Sequence, residues 1–288
     1  MSETRTFYSS LLDPKCIVAS NPELQIALEE IASGQTSFGP FEEWTAWLHA
    51  VLARLPGLVG TGRVDLIYEN CVTAIVGRYP SGRVDAPYAE FFDDVLTTLG
   101  VDFVREALWP AGSSAARAFD VSAEWESRVE PGGEFSAAMY LTAKYSTDDG
   151  LPIWWQSVIA VDTPSWRAHV LLWMAAASEL VTRPGAQPAQ LSHTRTLFRD
   201  SLWQGSMWLK GTYPDVNGTP RSHPFLSEMR QKTFVEVFRA SLDTETLLHW
   251  LTEIEAAATP GSDEALILQS ELYDALEHCI AAYGLRRR

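Results

Sequence analysis

Cysteine is scarce in this sequence. The 288 residues include three, Cys16, Cys71 and Cys279, which are widely separated and form no C-x-x-C pair. That pattern argues against a disulfide framework or a zinc ribbon and fits a reducing, cytoplasmic compartment. Positive charge is scarce too: 22 Lys+Arg face 37 Asp+Glu, for a net charge of −15, and lysine occurs only at 15, 144, 210 and 232. Nucleic-acid binding needs cations to neutralise phosphates, so no nucleic-acid partner is expected. Long hydrophobic runs are missing. The opening Met1–Tyr8 has no apolar core of a secretory signal. The longest apolar run, between Arg167 and Glu179, contains His169 and falls short of the roughly 20 residues that span a bilayer. No membrane partner is expected.

Catalytic signatures are also missing. There is no G-x-x-x-x-G-K-[ST] phosphate loop, no G-x-S-x-G elbow and no H-E-x-x-H. Gly57, Gly60 and Gly62 stand in the wrong order for a dinucleotide turn. Asp93-Asp94 lacks the further acid of an aspartate-rich isoprenoid-synthase motif. Ala275 occupies the place where a ferritin-like Glu-x-x-His would need its Glu before His278. No cofactor is expected, and the balance is against an enzyme.

What is present is apolar area in a helical rhythm. Eleven Trp, nine Tyr and twelve Phe supply enough surface for a core without cross-links. Over 41–55, Phe41, Trp44, Trp47, Leu48, Val51, Leu52 and Leu55 form one stripe. Residues 21–34, 64–77 and 87–99 repeat that logic, and shorter helices are expected at 102–108 and 113–128. The 165–182 segment is apolar on every face and is expected at the centre, followed by helices near 192–210, 224–241, 244–258 and 262–283. The stretch 129–162 admits two readings. Its Thr-Asp-Asp-Gly turn between apolar runs fits a β-hairpin near 138–161, and its helical surroundings favour two short helices.

About ten helices with short links predict an all-α fold, either a compact multi-helix bundle or a degenerate helical-pair solenoid. Trp44-x-Ala46 and Trp166-x-Ala168 are the sole hint of a repeat. The chain reads as a single domain over 1–288. The Pro- and Gly-bearing stretch 183–190 marks an alternative division into 1–182 and 191–288.

Charge comes in blocks. Residues 84–134 hold 11 acids and 3 bases, 183–241 hold 8 bases and 4 acids, and 242–285 hold 9 acids with no Lys or Arg. Self-complementarity between the last two blocks is the plain explanation. The functional one is an acidic face that recognises a basic protein partner. Asp93, Asp94, Glu253 and Glu255 are candidates for that face, with Trp203, Trp208 and Tyr213 as aromatic anchors. A neutralising protein of the antitoxin or immunity type, or an adaptor, would work this way.

Two alternatives place chemistry inside the fold. Trp154, Trp155, Trp166 and Trp173 with His169 form a concentration that would suit a small-molecule pocket in an enzyme or carrier. Glu245, His249 and Glu253 recur every four residues on one helix. Glu271, Asp274 and His278 sit similarly on the last. If the two helices pack antiparallel, these side chains form a divalent-metal set for a metal-dependent enzyme.

Overall fold

The computed structural model describes residues 41–52, 64–81, 93–94, 96, 133–186, 224–258 and 263–286. Among them the chain is helical throughout, with no strand. The helices are α1 (Phe41–Leu52), α2 (Val64–Arg78), α3 (Gly133–Tyr145), α4 (Gly150–Ala160), α5 (Pro164–Thr182), α6 (Glu228–Ser241), α7 (Thr244–Ala257) and α8 (Asp263–Tyr283). No described helix is long and apolar enough to cross a membrane. The expected helices at 21–34, 102–108, 113–128 and 192–210 lie outside the described residues, as does all but a fragment of 87–99.

The hairpin reading of 138–161 is replaced by α3 and α4. In α4 the buried residues are Leu151, Trp154, Trp155 and Val158, spaced i, i+3, i+4, i+7. That is the stripe of a helix, whereas a strand would bury alternate residues. The Asp149-Gly150 pair starts a helix instead of turning a hairpin. The Gly150 N–H donates to Thr147 Oγ1 at 3.0 Å, so a hydroxyl in the link takes up one of the helix's orphan donors.

Helix α5 is the hub. Thr163 stands before it in an extended conformation and Pro164 occupies its first turn, where a missing N–H costs nothing. The helix is buried without a break from Ala168 to Ser178 and packs against α4, α6, α7 and α8. Its polar atoms mark the seam with α8: the Tyr283 hydroxyl donates to the Met174 carbonyl at 2.6 Å, and Ser178 Oγ lies 2.7 Å from His278 Nε2. Helix α2 packs on α3 and α1, and the Tyr145 hydroxyl donates to the Tyr79 carbonyl at 2.9 Å.

The caps follow the sequence. Ser227 Oγ accepts from Arg230 N at the start of α6. Asp243 Oδ1 accepts from Thr246 N at 2.8 Å at the start of α7. Helix α8 ends at Gly284, whose φ of 62° is the left-handed conformation that glycine adopts without strain. Cys71 and Cys279 are free and buried, and burial pushes both thiols up, so they behave as apolar filling.

Candidate functional site

The acidic block 242–285 folds into α7 and α8, which pack against each other and against α5. Each turns its apolar stripe inward. Leu247, Trp250, Leu251 and Ile254 are buried on α7, and Leu272, Ala275, Leu276, Cys279 and Tyr283 on α8. Glu245, Asp274 and Glu277 are exposed, and Glu255 and Glu271 are partly so. Two apolar side chains of the same helices are partly exposed: Tyr273 is 40% and Leu248 37% exposed. Asp93 and Asp94 are exposed as well. Trp203, Trp208 and Tyr213 lie outside the described residues.

Three of the described bases of 183–241 pair with acids outside 242–285, and a fourth bonds to the backbone of that block. Arg230 pairs with Asp148, Lys232 with Glu236 one turn along its own helix, and Arg183 with Glu179 one turn back. Arg239 donates through Nε to the Tyr283 carbonyl at 2.6 Å.

Glu253, a candidate for the acidic face and for a metal set, has a structural partner. Its Oε2 accepts from Arg167 Nη1 on α5, while its Oε1 lies 3.5 Å from His249 Nε2. The Arg167 side chain is 13% exposed and its guanidinium also sits 5.7 Å from the Trp250 ring centroid. Burial pulls the Arg167 pKa down and Asp162 works in the opposite direction. Glu253 therefore ties α7 to the hub. Glu253→Gln is expected to cost about 1–2 kcal/mol in urea unfolding. That is less than the 3–5 kcal/mol of a fully enclosed pair, because the carboxylate keeps contact with water. A loss below about 0.3 kcal/mol would mean the pair is only a surface contact.

The candidate metal ligands do not converge among the described residues. Helices α7 and α8 do pack together, but Glu253 turns to Arg167 and His278 to Ser178, both on α5. Glu245 and Asp274 point to solvent. Among the described residues no group of three or more His, Cys, Asp or Glu side chains is placed to hold a metal ion.

Three of the four tryptophans of the aromatic concentration pack against neighbouring rings. Trp155 stands 4.4 Å from Phe238 and 6.1 Å from Trp154, and Trp154 makes an edge contact with Phe234 at 6.4 Å. Trp173 tilts against Tyr140 at 5.4 Å. The indole N–H of Trp155 donates to Ser241 Oγ at 2.8 Å, and that of Trp166 to the Val158 carbonyl at 2.7 Å. His169 is buried on α5. These rings pack as core, and two of the four indoles have their polar edge satisfied, while the N–H groups of Trp154 and Trp173 are buried with no acceptor among the described residues.

Three polar features were missed in the sequence. Arg230 is buried and gathers the α3–α4 link. Its Nε donates to the Ala143 carbonyl at 3.1 Å, its Nη1 to Asp148 at 2.7 Å, and its Nη2 to Ser146. The one available signal was position, since Arg230 shares a helical line with the core residues Phe234 and Phe238. Lys144 donates to the Phe225 carbonyl at 2.7 Å and sits 4.8 Å from the Phe225 ring centroid. Desolvation lowers its pKa to about 7. His49 Nε2 lies 2.6 Å from the Tyr79 hydroxyl, and burial followed by the nearby Arg78 charge lowers its pKa to about 4. His49 is therefore neutral at pH 7 and its contribution fades only as pH falls from about 6.5 towards 4.

No family model matches the chain, and no curated protein or solved structure matches it either, so the geometry above is the basis on which its function is read.

Proposed function

We propose that the chain binds a basic protein partner through the outward side of α7 and α8, as a neutralising protein of the antitoxin or immunity type or as an adaptor. One observation carries the reading. Nine acids and no Lys or Arg fall in 242–285, and the same two helices expose Glu245, Asp274 and Glu277 together with the partly exposed Tyr273 and Leu248. An interface of this kind uses the apolar and aromatic anchors for affinity, and the acids for rapid association and rejection of acidic competitors. Arg183, Arg230 and Lys232 pair with acids outside 242–285. The tightly packed tryptophans count against the pocket reading.

The test uses the full chain as bait in extract from the native source, beside a Glu245→Gln, Asp274→Asn, Glu277→Gln triple variant. All three positions are exposed, so the fold is expected to be unaffected. A basic protein retained by the wild type at low salt, and reduced about tenfold or more on the variant, supports the reading. Equal retention on both baits removes it.

A further inference from the structure

We propose a second, separate site where the ends of α6 and α8 meet the start of α7: a pocket for a small organic anion whose carboxylate or phosphate head sits between Arg239 and Arg286. The pocket has a volume of about 470 Å³ and is lined by Arg239, Leu242, Asp243, Gly284, Leu285 and Arg286. That volume is in the range of small-molecule sites. Leu242 and Leu285 are buried and give the pocket an apolar lining. The two guanidinium groups give it a cationic one, in a chain whose net charge is −15.

Arg239 is pre-positioned. The Arg239 Nε–H donates to the Tyr283 carbonyl at 2.6 Å, which orients the guanidinium plane and leaves its two amino groups without an acceptor among the described residues. Glycine at 284 permits this arrangement. Its φ is 62°, and a Cβ there would stand 3.0 Å from Arg239 Nη2. The backbone after Gly284 is held as well, since the Arg286 carbonyl accepts from Thr244 N at 3.4 Å. An arginine with its plane fixed and its amino groups open is suited to an oxyanion, which it can bind through two parallel hydrogen bonds. Asp243 opposes an anion, but one of its carboxylate oxygens is committed to the α7 cap at Thr246 N.

The test is titration calorimetry at low ionic strength on the full chain, with benzoate and phenyl phosphate as probes. Binding of at least one with Kd below about 1 mM is expected. It should weaken about tenfold in Arg286→Ala, which leaves the backbone bond to Thr244 in place. It should tighten in Asp243→Asn, which keeps the helix cap while removing the opposing charge. Arg183→Ala, at an exposed cation elsewhere, should change it by less than about twofold. The stronger probe identifies the head group. Arg286→Gln replaces the alanine variant if thermal melting shows that variant to be unfolded. Binding of neither probe, or binding indifferent to Arg286, overturns the proposal.

Discussion

Trp155→Ala is expected to lower the free energy of unfolding by about 3–5 kcal/mol, a large share of what holds a domain together. The ring is fully buried, faces Phe238 at 4.4 Å and donates through its N–H to Ser241 Oγ. Its removal leaves a cavity between α4 and α6 and takes one donor from Ser241 Oγ, which keeps its own bond to the Val237 carbonyl at 2.7 Å. Trp155→Phe keeps most of the ring contact and loses the hydrogen bond, so it should cost nearer about 1 kcal/mol. Urea unfolding followed by circular dichroism measures both. An alanine variant within about 1 kcal/mol of wild type would mean that the indole borders open space, and would revive the ligand pocket.

Lys144→Met is expected to stabilise the protein, and to do so more at pH 6 than at pH 10. The folded-state pKa of about 7 lies below the ordinary 10.5, so the charged form is the one that folding penalises. The unfolded chain binds the proton more readily, and stability from this group rises with pH between about 7 and 10.5. Below about pH 7 the penalty is complete, at most about 5 kcal/mol by linkage. Methionine removes it while filling similar space. Part of the gain is offset because the Phe225 carbonyl loses its donor, at about 1–2 kcal/mol. A net gain of about 2 kcal/mol at pH 6, shrinking towards zero or below at pH 10, is the expected signature. Equal effects at both pH values would show that the ammonium is solvated.

The helices were legible where a stripe was present. Trp44, Trp47 and Leu48 on α1, and Leu151, Trp154, Trp155 and Val158 on α4, are buried at the positions that a period of 3.6 assigns. The same α4 stripe stood in the sequence against the hairpin reading. Its partner α3 was harder, because residues 136–143 are all buried and a helix enclosed on every side has no period to read. The site was legible as charge and opaque as pairing. The acids of α7 and α8 were visible as a block, but Glu253 is answered by Arg167, 86 residues earlier. His278 is answered by Ser178, 100 residues earlier. Spacing along one helix carries no record of what the next helix brings opposite. Lys144 gave no warning for the same reason: its acceptor, the Phe225 carbonyl, is 81 residues away.

The claim on which the functional account rests is that the outer side of α7 and α8 draws a cationic protein. The most direct measurement is the association rate of the retained partner with wild type and with the Glu245→Gln, Asp274→Asn, Glu277→Gln variant, across a range of ionic strength. The account predicts a wild-type rate that falls steeply as salt rises, by about tenfold or more, and a variant rate that starts lower and responds less. Identical rates with identical salt slopes for the two proteins would contradict it.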